Sequence, residues 1–193
     1  MASANVISSG NCTSGQRRRL EDTMSDQSFP FHNDSTVLIH APADPVFAYL
    51  DDPTALAAHM SKSSMMMMGS RMSIDVDADG GRSIGSKIRM RASMIGIPLS
   101  LEEIITERKI PCKKVWETVG TPRLIVISQY RMGFDLTPEG ALSRVRVFID
   151  YSLPDSPLGY WLGRLFGGVY ARWCTQRMAD DAARHFETQK GGR

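Results

Sequence analysis

The sequence predicts an α+β domain: a curved antiparallel sheet of about seven strands wrapped around one long C-terminal helix, with two short helices after the first strand. Three observations carry this. From Ser156 to Glu187, Leu158, Trp161, Leu162, Leu165, Val169 and Trp173 recur at spacings of three and four, which is one apolar stripe on a helix. Between Ser86 and Leu153, apolar and polar residues alternate with the period of strands. Short turn sequences, Asp79-Gly80-Gly81 and Pro138-Glu139-Gly140, separate these runs, and short turns join antiparallel neighbours.

Taken in order, residues 1–34 are dominated by Ser, Asn, Gly, Gln and Asp and predict a disordered tail. Met24 is a second candidate start, which would place residues 1–23 outside the native protein. Thr36 to His40 reads as a short strand, closed by Ala41-Pro42. Asp44 is the expected cap of a helix from Pro45 to about Leu50, with Val46, Phe47 and Leu50 buried. A second short helix is expected at 54–59, after Pro53. Met66, Met68, Met72, Ile74 and Val76 share one strand parity. Ser86–Met94, Leu99–Arg108, Lys114–Val119, Leu124–Leu136 and Arg144–Leu153 complete the expected strands. Ser156 caps the closing helix and Pro157 suits its first position. The domain is expected over residues 35–188, with 189–193 a flexible tail.

Composition narrows the function classes. With 193 residues, one domain is expected, and 42% hydrophobic residues is enough for a core. A net charge of +2 gives no general drive toward nucleic acid or anionic membrane. No segment approaches the roughly 18 uninterrupted apolar residues of a membrane span. Cys12, Cys112 and Cys174 are widely scattered, which suggests neither a disulfide framework nor a zinc site, and a reducing cytoplasm is the expected setting. His32, His40, His59 and His185 lie far apart without metal-ligand spacing, and no nucleophile elbow or phosphate-binding loop is present. No metal and no cofactor are therefore expected.

Specific stretches resemble a known superfamily. They are Val37-Leu38-Ile39 followed by Ala41-Pro42-Ala43-Asp44-Pro45-Val46-Phe47-Ala48-Tyr49-Leu50, then Glu103-Ile104-Ile105-Thr106-Glu107, Pro111 and Val115-Trp116-Glu117, and a closing helix with Trp173, Met178 and Phe186. In these the chain resembles the START-like, or SRPBCC, superfamily, which includes the birch-pollen-allergen fold and the polyketide cyclase/dehydrase and lipid-transport group. The resemblance covers about Ser35 to Glu187. It implies a helix-grip fold with a hydrophobic cavity between sheet and closing helix. Members bind lipids, sterols, quinones, hormones or polyketides, and some are enzymes, so the fold does not by itself fix the function.

Candidate site residues follow from side chains that the pattern turns inward. Met66, Met68, Met90 and Met132 are expected as a pliable apolar lining, because methionine is flexible and polarisable; core filling is the alternative. Ser128, Tyr130 and Tyr151 place hydroxyls in inward register, and Glu103 shares the parity of Leu101 and Ile105. On the helix stripe, Leu165 and Val169 are the expected apolar wall, and Arg172 and Gln176 the polar end. Arg172 is the expected anchor for a ligand carboxylate or phenolate, with an Arg172–Glu103 ion pair as the alternative. Glu103 and Tyr130 are the candidates for acid–base chemistry. The row Gly159, Gly163, Gly167 predicts close backbone packing within the chain, with a homodimer contact as the second reading. The outward Lys87/Arg89/Arg91 and Arg144/Arg146 runs read as a solvated sheet face.

The function expected is binding of a hydrophobic small molecule or lipid in an internal cavity, for sequestration, presentation or transport. The alternatives are a polyketide cyclase/aromatase-like enzyme using the same cavity, and a protein-interaction module of chaperone-activator type.

Overall fold

Strict alternation of half-buried and exposed residues draws the first strand, β1, over Phe31–Ile39. The computed structural model describes residues 29–54, 71–94 and 97–190. After β1 come α1 (Ala43–Leu50), β2 (Arg71–Val76), β3 (Lys87–Met94), β4 (Ile97–Lys109), β5 (Lys113–Arg123), β6 (Tyr130–Glu139), β7 (Leu142–Tyr151) and α2 (Pro157–Lys190). Among the described residues the strands form one seven-stranded sheet in the order β1-β7-β6-β5-β4-β3-β2. All its pairs are antiparallel. Neighbours in sequence are neighbours in the sheet, except that β1 crosses over to pair with β7.

The turns follow glycine chemistry where it is needed. Gly80 and Gly81 adopt φ of 64° and 69° before β3, and Gly140 adopts 65° between β6 and β7. Positive φ is nearly free for glycine and costly for other residues. On β3, Ile88 is buried while Lys87, Arg89 and Arg91 are exposed, as the alternation requires. Lys87 and Arg89 both pair with Glu102 across the outer face, at 2.9 and 2.7 Å.

The helix α1 tucks Val46, Phe47 and Leu50 into the core, and Phe47 meets Phe134 of β6 edge-on at 5.6 Å. Its C-terminal end is held by charge. Arg108 grips both oxygens of Asp51, at 3.1 and 2.6 Å. Lys114, only 1% exposed, reaches Asp51 Oδ1 at 2.8 Å and donates to the carbonyls of Asp51 and Gly81 at 2.7 and 2.9 Å. Burial pushes the Asp51 carboxyl up, but hydrogen bonds from Arg108 and Lys114 more than reverse this, so it stays ionised.

Helix α2 starts as the sequence requires: Ser156 Oγ accepts from Gly159 N at 3.2 Å. It packs mainly against β1 and then β7. Ser35 Oγ donates to Thr175 Oγ1 at 3.2 Å, which donates to Asn33 Oδ1 at 3.1 Å, pinning mid-helix to β1. Tyr49 of α1 stacks on His185 at 4.2 Å and steadies the far end.

Several boundaries differ from the sequence reading, each for a physical reason. β1 begins at Phe31 rather than Thr36, because Phe31 pairs with Tyr151 and stacks on its ring at 5.4 Å. Residues 31–34 thus belong to the sheet and not to a tail. α1 is entered from Pro42 without a side-chain cap, so Asp44 sits in its first turn instead. The expected strand Leu124–Leu136 is split: β6 starts only at Tyr130, and 124–129 bends away beneath α2. There Ser128 N donates to Ser152 O, and Ser152 N to Gln129 O, both at 2.9 Å. Helix α2 extends through Lys190. Cys174 is free and buried. The expected helix at 54–59 falls outside the described residues beyond Thr54, as do Met66, Met68, the tail at 1–28 and residues 191–193.

Candidate functional site

Antiparallel register sets one row of side chains across the sheet. Ile88 of β3 stands beside Glu103 of β4, Glu103 beside Thr118 of β5, and Tyr130 of β6 beside Tyr151 of β7. Thr118 closes the gap to β6: its hydroxyl accepts from Tyr130 N at 2.9 Å and donates to Gln129 Oε1 at 2.6 Å. The adjacent row is apolar, with Ile105 beside Trp116 and Trp116 beside Met132. Glu103 lies between two irregularities of register in β4, at Ser100/Glu102 and Ile105/Glu107. Such bulges re-aim side chains locally.

Here the interior becomes polar. Tyr130 Oη donates to Glu103 Oε1, and Trp116 supplies a second hydrogen bond to the same carboxyl. Glu103, Tyr130 and Trp116 are 3%, 7% and 6% exposed, so this is a buried acid held by two donors. From α2, Tyr170 and Cys174 approach, one helical turn apart and hydrogen-bonded to each other. Tyr170 is half-buried overall, with its hydroxyl inside.

Burial dominates the electrostatics. It pushes the Glu103 carboxyl from its ordinary 4.5 up to about 7, against the hydrogen bonds of Tyr130 and Trp116 and the charge of Lys114. Burial and the neighbouring Glu103 raise the Tyr130 phenol well above 10. Tyr170 is raised by Cys174 beside it and by burial. Burial pushes the Cys174 thiol up to about 12, so it is no ready nucleophile near neutrality. Tyr130, Tyr170 and Cys174 therefore keep their protons around pH 7, and Glu103 is the group that changes charge there. No cluster of His, Cys, Asp and Glu suited to a metal occurs among the described residues.

Of the residues singled out from sequence, Glu103, Tyr130 and Met132 come together in this interior, and Met90 packs half-buried against the same core. Tyr151 is buried in the seam with α2, its hydroxyl near Gly168. Ser128 is half-buried in the bend before β6. The helix residues require correction. Leu165 and Val169 are 68% and 58% exposed, and Arg172 and Gln176 are exposed too. The reason is steric. A Cβ on Gly163 would stand 2.8 Å from Val126 O and 2.9 Å from Leu153 Cδ2, and one on Gly167 would stand 3.1 Å from Val126 O. The glycine row is thus the inner side of the first half of α2, which turns the apolar stripe outward. Arg172 neither lines the interior nor pairs with Glu103.

Trp116, Tyr170 and Cys174 were not among the candidates drawn from sequence. The signal for the helix pair was available: continuing from Gly163 and Gly167 by steps of three or four leads to Tyr170, Cys174 and Met178.

No protein-family model and no curated protein matches the sequence. Solved structures do. The Zhui aromatase/cyclase from Streptomyces sp. R1128 superposes with a TM-score of 0.62 at 12% identity, over 81% of this chain and 93% of that one. Norcoclaurine synthase from Thalictrum flavum, in complex with dopamine and hydroxybenzaldehyde, gives 0.54 at 12% identity, over 80% and 84%. The protein Ara h 8.0201 gives 0.55 at 11% identity, over 82% and 98%. Together with the seven-stranded sheet, the short helix after β1 and the long closing helix, these place the chain in the Bet v 1-like helix-grip fold.

Proposed function

We propose that this helix-grip chain binds a hydrophobic small molecule between its sheet and closing helix, and that Glu103 and Tyr130 receive the ligand's one polar group. The observation that carries the reading is the buried Glu103–Tyr130 hydrogen bond beside the apolar row of Ile105, Trp116 and Met132. A small set of convergent polar groups in apolar surroundings is how such sites orient their ligands. Ile105, Trp116, Met132 and Met90 would face the apolar body. The solved structures of the same fold support the ligand class: one is an aromatase/cyclase, and another holds the phenolic compounds dopamine and hydroxybenzaldehyde.

The polar group is neutral in this reading, such as a hydroxyl, a phenol or a ketone. Lys114, the cation acting on Glu103, is committed to Asp51 and two carbonyls. Arg172 points outward. A ligand carboxylate would meet an acid already pushed up by burial, with no cation to offset it. Native mass spectrometry of the freshly purified chain tests this. The expected result is a retained or readily loaded neutral apolar compound. A chain that takes up no neutral aromatic compound, or only acids, contradicts it.

The same carboxyl favours a second reading, a cyclase-like catalyst. An acid that ionises near neutrality can take and return a proton beside a carbonyl. The test is exchange of the acidic C–H of 2-tetralone in deuterium oxide, followed by NMR. Catalysis predicts acceleration by the native chain that Glu103→Gln abolishes. Equal exchange in both proteins rules this reading out and leaves binding intact.

A further inference from the structure

We propose that the first half of α2 is a membrane-docking face, built to lie on an anionic bilayer surface. Leu158 and Trp161 are each 73% exposed, Leu165 68% and Val169 58%, all on one stripe, with Phe166 at its flank at 48%. A continuous exposed apolar strip of this kind marks an interaction surface in a folded protein. It cannot turn inward, because the opposite side of the helix is held at backbone distance by Gly163 and Gly167 against Val126 O. The exposure is a built feature of the packing.

Charge selects the occupant. From Ser156 to Ala179 the chain carries Arg164, Arg172 and Arg177 and no acidic residue. Arg164 and Arg172 are exposed beside the strip, and neither has an ion pair among the described residues. Two copies pairing through this face would bring like charges together in the contact. Lipid phosphates would instead complement it. Tryptophan beside leucine, valine, phenylalanine and arginine is the composition of a helix that rests in the headgroup region with its apolar side immersed. No described helix is long and apolar enough to cross a membrane, so this one lies on the surface. The face is separate from the Glu103–Tyr130 pair, and its role does not depend on what that pair binds.

The test is co-sedimentation of the full chain with vesicles of phosphatidylcholine alone or mixed with phosphatidylglycerol. The chain is expected to partition onto the mixed vesicles in preference to the neutral ones. Trp161→Ser with Leu165→Ser should weaken this by at least about tenfold. Arg164→Gln and Arg172→Gln should each weaken it by about fivefold on mixed vesicles only. Melting temperature serves as the folding control, and these exposed substitutions should leave it unchanged. No partition onto either vesicle, or partition indifferent to the Trp161/Leu165 pair, overturns the proposal. So does a dimer in sedimentation velocity that Leu165→Asp dissociates, since the face would then belong to a second copy.

Discussion

Glu103 carries a consequence that can be read as stability. Its carboxyl ionises near 4.5 when exposed and at about 7 in the folded chain. Between those values the folded chain holds a proton that the unfolded chain has released, so raising the pH favours unfolding. The contribution is fully present below 4.5 and lost as pH rises through about 7, and the loss amounts to roughly 3 kcal/mol. Urea titrations from pH 4.5 to 8 should show native stability falling relative to Glu103→Gln and levelling off above 7. His32, also raised by its Asp150 partner, titrates in both proteins and cancels in that difference. A pH-independent difference would place the Glu103 carboxyl outside this account. Lys114 predicts the opposite kind of effect. Lys114→Met leaves two carbonyls without their donor and Asp51 with Arg108 alone, which should cost about 3–5 kcal/mol by chemical denaturation. At this scale the sequence was informative where strand parity applied, as for Glu103, Tyr130 and Met132. It was misleading for Arg172, because a helix stripe shows that two sides differ and not which side faces the sheet.

At the scale of elements, the glycine row of α2 decides that orientation. Alanine is intrinsically better than glycine in a helix by about 1 kcal/mol. Gly163→Ala should nevertheless destabilise, by about 1–3 kcal/mol net, because its Cβ would press on a backbone carbonyl that cannot rotate away. At Gly168 the nearest atom to a Cβ is Tyr151 Oη at 3.7 Å, an ordinary contact. There the propensity term stands alone, and Gly168→Ala should raise stability by up to about 1 kcal/mol. Thermal melts of the two variants should therefore shift in opposite directions; shifts of the same sign would contradict the close packing. The strands were legible because period two is direct evidence of a sheet face. The break at 124–129 was not, since Leu124, Val126, Ser128, Tyr130, Met132, Phe134 and Leu136 share one parity, and parity does not register that Val126 O sits against Gly163 and Gly167 of α2. Similarly, Phe31 joins β1 through a stack with Tyr151, a contact made across the whole sequence.

For the whole molecule, the sheet supplies a buried acid–phenol pair on one side, and α2 covers it with Tyr170 and Cys174 while showing an apolar strip to the outside. Fold architecture was legible early because strand count, turn spacing and one long helix together admit few arrangements. Ligand chemistry was less so, because it depends on which polar side chains are brought together from β4, β5, β6 and α2. The central claim is that Glu103 and Tyr130 anchor a neutral polar group. Isothermal titration calorimetry with 2-naphthol and 2-naphthoate, on the native chain and on Tyr130→Phe and Glu103→Gln, tests it most directly. The account predicts that 2-naphthol binds, that the native chain discriminates against 2-naphthoate, and that Tyr130→Phe weakens 2-naphthol by about five- to tenfold. It predicts that Arg172→Met changes nothing. Preference for 2-naphthoate, or 2-naphthol affinity unmoved in both Tyr130→Phe and Glu103→Gln, would contradict it.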